Sequence, residues 1–66
     1  MTPREFQRKY HEYITQSSDD AKAEVEKVNE EGIEGNKAVA VYFPEVGWGL
    51  MLDSAYSYLK ETEILP

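Results

Sequence analysis

The sequence contains no cysteine and a single histidine, His11. Without thiols there can be no disulfide staple, and one imidazole lacks the companion ligands that a zinc site needs. Long apolar runs are missing too. The longest, around 38–43 and 48–52, are far too short to cross a bilayer. No stretch combines the basic start, apolar middle and small-residue cleavage site of a secretory signal. Together these absences favour a soluble protein of a reducing, cytoplasmic compartment, with no membrane partner and no cofactor.

At 66 residues the chain has room for one domain, 1–66. A domain of this size hides only about 60% of the surface its unfolded chain exposes, so a small core must be supplemented. Disulfides and metals being excluded, association is the remedy left.

Catalytic equipment is sparse. His11 follows Tyr10 on a helical pattern and reads as a surface or boundary residue. Carboxylate pairs such as Asp19 with Asp20 or Glu24 with Glu31 follow from an acidic composition, and so small a core can hardly surround a substrate cleft. Gly47-Trp48-Gly49 leads from a turn into a strand, not into the helix that a phosphate loop requires. Asp19, Asp20 and Glu24 lack the alternating oxygen ligands and central glycine of a calcium loop. The expectation is a non-enzyme with no metal and no small-molecule substrate.

What is abundant is negative charge. Thirteen Asp and Glu face seven Lys and Arg, for a net charge of −6. The imbalance is concentrated in Asp19, Asp20, Glu24, Glu26, Glu30, Glu31 and Glu34, opposed locally by Lys22 and Lys27, whereas Arg4, Arg8 and Lys9 make the N-terminal stretch basic. An acidic field repels nucleic acid and attracts basic proteins over about 8–10 Å of screening length. The same residues also suit a plainly solvated helix face.

Local signals predict α-α-β-β-α, an α+β fold. Thr2, Pro3 and Glu5 spell an N-cap, first-turn proline and capping box, and Phe6, Tyr10, Tyr13 and Ile14 recur at helical spacing, which predicts a first helix running to about Gln16. The cap-forming run 17–20 starts a second helix with Ala21, Val25 and Val28 as its apolar stripe and Gly32 as its C-cap, although a continuous helix through residue 17 is an alternative. Lys37 to Phe43 and Trp48 to Asp53 form an antiparallel hairpin around a turn at 44–47. Asp53 or Ser54 caps a short C-terminal helix that uses Ala55, Tyr56, Tyr58, Leu59 and Ile64 before Pro66.

The hairpin is apolar on two sides. Val39, Val41 and Phe43 face one way and Ala38, Ala40 and Tyr42 the other, while Trp48, Leu50 and Leu52 oppose Met51. Helices over one face leave a second face and two edges, so the sheet is expected to be extended or covered by dimerisation. Tyr42, Trp48, Met51 and Tyr58 are the candidate anchors there, since tyrosine and tryptophan dominate binding hot spots.

The stretch 23–32, the strand from Lys37 to Tyr42, Gly49-Leu50-Met51-Leu52 and 55–62 resemble the DNA-binding half of Phd/YefM-type antitoxins, and Glu5 to Ile14 is similar to that family's first helix. The likeness lacks the toxin-binding tail and the Arg/Lys-Gly turn. It implies dimerisation through the sheet and operator binding by the N-terminal region, with Arg4, Arg8 and Lys9 as the phosphate contacts.

Three functional readings follow. The first is a non-catalytic inhibitor or adaptor of phage or mobile-element type, active in anti-defence or as a nucleic-acid mimic, which docks the acidic helix on a basic partner. The second is an antitoxin-like DNA-binding regulator. The third is a structural homo-oligomer subunit.

Overall fold

The computed structural model describes residues 1–62, so the expected roles of Ile64 and Pro66 lie outside it. Its elements are α1 (Pro3–Tyr10), α2 (Ser18–Glu31), β1 (Ala38–Phe43), β2 (Gly47–Leu52) and α3 (Asp53–Glu61). This is the predicted α-α-β-β-α order, and the two strands form an antiparallel sheet. Among the described residues no helix is long and apolar enough to span a membrane.

The start of α1 follows its sequence signature. The Glu5 amide donates to Thr2 Oγ1 at 3.1 Å, and the Thr2 amide donates back to the Glu5 carboxylate at 3.3 Å. Its end does not. The helix stops at Tyr10, the Tyr13 amide turns back to the Tyr10 carbonyl at 3.1 Å, and the chain then extends. Tyr13 and Ile14 therefore do not belong to the helical face predicted for them. Thr15 instead exchanges both backbone groups with Trp48, N–H to O at 2.9 Å and the reverse at 2.7 Å. Tyr13, Ile14 and Thr15 are aromatic or β-branched and suit an extended chain, and the two bonds gained on the β2 edge outweigh another helical turn.

Gly47 makes that approach possible. A Cβ on Gly47 would lie 2.7 Å from the Gln16 side-chain nitrogen and 2.9 Å from the Thr15 carbonyl oxygen, and Gly47 also has φ of 130°. Beside Gly49, the Tyr13 carbonyl oxygen and the Phe43 ring would each be 3.4 Å from a Cβ. Glycine in a strand interior often marks such a close pass of another backbone.

In α2, the Asp20 amide donates to the Ser17 hydroxyl at 3.2 Å, and the Gly32 amide closes the far end on Val28 O at 2.8 Å. Gly32 holds φ of 95°, a left-handed value that needs no Cβ. The N-terminal amine of Met1 donates to Gly32 O at 2.8 Å, tying the start of the chain to this loop. At α3 the expected cap is replaced. Leu52 occupies the N-cap position without a side-chain bond, because β2 runs straight into the helix and the Asp53 amide still donates to Lys37 O at 2.8 Å. Asn36 reaches across from the loop between α2 and β1, donating from Nδ2 to Ser54 Oγ at 2.9 Å.

Hairpin register pairs Ala38 with Leu52, Ala40 with Leu50 and Tyr42 with Trp48 on one face, and Val39 with Met51, Val41 with Gly49 and Phe43 with Gly47 on the other. The first face meets the core, in which Phe6, Tyr10, Val28 and Ile33 enclose Ala38 and Leu52. On the second face Val41 is also buried, and Val39, Phe43 and Met51 are half-buried. One chain thus shelters more of the second face than two-sided greasiness suggested. Each of the three helices packs on the hairpin.

Candidate interaction surfaces

Helical spacing sorts the α2 carboxylates into two stripes. Asp19, Glu26 and Glu30 lie opposite the buried Ala21 and Val28, while Asp20, Glu24 and Glu31 follow one another along the flank with Lys27 among them. Glu34 is exposed in the loop after α2. Except for Glu24, all seven predicted acidic residues are exposed. Among the described residues the one ion pair within 4 Å joins His11 and Glu12 at 3.6 Å, so the α2 carboxylates have no cation in contact.

Glu24 differs because it has structural work. It is half-buried and accepts the Tyr10 hydroxyl at 2.7 Å, joining the core end of α1 to the flank of α2. Burial pushes the Tyr10 hydroxyl well above the ordinary tyrosine range, and its bond to Glu24 and the negative charges of Glu24 and Glu31 push it further. Tyr13 is raised as well, first by burial and then by Glu24 and Asp20. An oxyanion beside these carboxylates would be doubly unfavourable, so both phenols stay neutral and Tyr10 keeps the proton it donates to Glu24.

The four hairpin candidates do not form one patch. Tyr42 and Trp48 face each other directly, with ring centroids 5.3 Å apart and planes tilted by 56°. Tyr42 is 55% exposed and Trp48 half-buried, so the pair presents one solvent-facing ring backed by another. Met51 points to the opposite sheet face, and Tyr58 stands exposed on α3. Val46, 52% exposed at the turn, adds apolar surface near the hairpin end.

Arg4, Arg8 and Lys9 are all exposed on α1. Arg4 and Arg8 are four residues apart on one stripe, whereas the Lys9 ammonium lies over the Tyr10 ring at 5.4 Å.

Three features had no clear reading in the sequence. Asn29, which looked like one more polar residue of α2, binds both backbone groups of Ala38. Thr15 adds a strand-like bridge, for which the Gly-Trp-Gly spacing is the available signal. A third feature is an open apolar cleft of about 350 Å³ between α1, β2 and α3, lined by Phe6, Gln7, Tyr10, Leu50, Met51 and Ala55 among others.

Comparison with family models finds no matching family, and comparisons with curated proteins and with solved structures find no match.

Proposed function

We propose that this protein is a non-catalytic protein-binding module, an inhibitor or adaptor that docks the outer stripe of α2 on a basic partner surface. The observation that carries the reading is the set of exposed carboxylates from Asp19 to Glu34 with no cation in contact among the described residues. Charges left unpaired on a folded surface are free to meet a partner's lysines and arginines, and they steer encounter more than they tighten the final complex. A partner that normally binds nucleic acid has the surface such a stripe would occupy. Tyr42 and Trp48 add the apolar anchor that charge alone does not supply.

The test is capture of partners on the immobilised protein across a salt series, repeated with Asp19→Lys, Glu26→Lys and Glu30→Lys combined. The outer stripe does not contribute to the buried core, so the triple variant should fold. Bound proteins are expected to carry basic surfaces, to elute as salt rises and to be lost with the variant. Capture indifferent to both salt and charge reversal overturns the electrostatic reading.

A second use of the hairpin rests on its edge. Ala40 and Tyr42 turn their backbone groups away from β2 with no partner among the described residues, which favours pairing with a second copy. Sedimentation of wild type against Tyr42→Lys distinguishes it, since only a dimer would dissociate. DNA binding through Arg4, Arg8 and Lys9 draws on fewer charges, and it predicts a salt-sensitive complex with a specific duplex that disappears when all three become alanine.

A further inference from the structure

The cleft between α1, β2 and α3 contains an unfinished sheet edge. In an antiparallel pair, alternate residues direct both backbone groups toward the partner strand. Asp53 N–H bonding to Lys37 O places 37, 39, 41 and 43 inward, opposite 47, 49, 51 and 53. Trp48, Leu50 and Leu52 then point their amides outward. The assignment agrees with Trp48, whose outward groups are the ones taken by Thr15.

Pairing stops at that bridge. The next residue able to continue it, Tyr13, gives its amide to Tyr10 O instead. The N–H groups of Leu50 and Leu52 and the Leu50 carbonyl have no partner among the described residues. The cleft begins at this point. Leu50, Met51 and Leu52 all line it although successive strand side chains point to opposite faces, which places the cleft along the strand edge. The far wall is α1, through Phe6, Gln7, Tyr10 and His11, and Ala55 of α3 lies at one end.

From this geometry we infer that the cleft is a second binding site, which takes an extended peptide as an added strand on the β2 edge with one or two apolar side chains in the cleft and acidic residues flanking them. Unpaired, evenly spaced amides select a main chain in extended form, as in other cases of strand addition beside a helix. A volume of about 350 Å³ lies at the lower limit for ligand pockets, which suits side chains of a peptide. Charge chooses the flanks. Gln7 and His11 form the α1 rim, and Arg4 and Arg8 are their neighbours three residues back along the helix, both exposed. His11 Nδ1 lies 3.0 Å from Arg8 O, which holds the ring on that side. Glu12, 3.6 Å from His11 Nε2, and Asp53, which follows the cleft-lining Leu52 at the start of α3, are the opposing charges. The site is thus opposite in sign to the α2 stripe, and its ligand is not the basic partner proposed above.

The experiment is an amide NMR titration of the full chain with three synthetic six-residue peptides: Asp-Glu-Val-Leu-Val-Glu, the version with Lys at the acidic positions, and the first peptide N-methylated at alternate amides. The acidic peptide is expected to shift the Leu50 and Leu52 amides and slow their exchange with solvent. The Lys version should bind at least about tenfold more weakly, and the methylated one should leave these amides unchanged. Arg4→Glu with Arg8→Glu, both at exposed positions, should weaken the acidic peptide about tenfold, and Glu26→Lys with Glu30→Lys should not weaken it. The last comparison separates this site from the α2 reading. Ala55→Arg should fill the cleft and block binding, with the double arginine variant as the control should it fail to fold. No change at Leu50 and Leu52 at millimolar acidic peptide overturns the site. Equal binding of the Lys peptide overturns the assigned charge, and concentration-dependent shifts at these amides without peptide identify a second copy of the chain as the occupant and overturn the peptide assignment.

Discussion

Asn29 of α2 and Ala38 of β1 are joined by two hydrogen bonds, the Ala38 amide donating to Oδ1 at 2.8 Å and Nδ2 donating to the Ala38 carbonyl at 3.1 Å. A side-chain amide here does what a neighbouring strand would do, closing the β1 edge at its first residue. Because Ala38 is buried, its backbone groups have little access to water once that amide is removed. Asn29→Ala should therefore lower unfolding stability by about 2 kcal/mol, measured by urea denaturation. Asn29→Asp keeps the acceptor and loses the donor, and should fall between the two.

Tyr10 and Glu24 make the polar bond at the core's margin. Tyr10→Phe should cost about 1–2 kcal/mol at neutral pH, a hydrogen bond to a charged acceptor. The pH dependence has a definite sign. The Tyr10 hydroxyl titrates higher folded than unfolded, so its contribution is complete below the ordinary tyrosine value near 10 and is lost as pH rises from there toward the folded value. Denaturation midpoints should thus fall above pH 10, and less steeply in Tyr10→Phe. Equal slopes for both proteins would refute the linkage.

Gly47 and Gly49 should respond differently to the same methyl group. At Gly47 alanine meets backbone and side-chain atoms below 3 Å and is forced to a φ of 130°. Its cost should exceed about 2 kcal/mol and should release Thr15 from Trp48. At Gly49 the nearest atoms, the Phe43 ring and the Tyr13 carbonyl oxygen, are 3.4 Å away, which is ordinary van der Waals contact. Alanine there should cost about 1 kcal/mol or less. Chemical denaturation followed by Trp48 fluorescence reports both, because Trp48 lies between the two substitutions.

Glu45 is the one non-glycine residue with positive φ among the described residues, at 67° in the hairpin turn. Asparagine tolerates the left-handed region better than glutamate does, and the side chain is exposed. Glu45→Asn is expected to stabilise the chain by roughly 0.5 kcal/mol, visible as a higher melting temperature with unchanged structure.

Much of the architecture was legible because its signals are local. Thr2 and Glu5 sit three residues apart in the capping box, Ser17 stands one residue before α2, and Gly32 takes the left-handed backbone that ends it. The end of α1 was not legible, since Tyr13 and Ile14 fit a helix from Phe6 and Tyr10 as well as they fit a strand. The choice is made by Trp48, distant in sequence, which accepts and donates the two bonds that straighten Thr15. Glu24 shows the same limit at the candidate surface. Its charge was countable with its neighbours, but only the fold sets it against the Tyr10 hydroxyl and leaves Asp19, Glu26 and Glu30 to face water. The cleft was hidden because its walls come from three separate elements and its distinctive feature is a pairing that stops.

The three helices bring their backbones to the hairpin and not to one another. The ribbon is therefore the shared floor of all three helices, with the Tyr10–Glu24 bond a side-chain link from α1 to α2. No pair of helices could persist once it opens, and the ribbon could not persist bare. Melting should accordingly be all-or-none, with tryptophan emission and helical circular dichroism lost at one temperature.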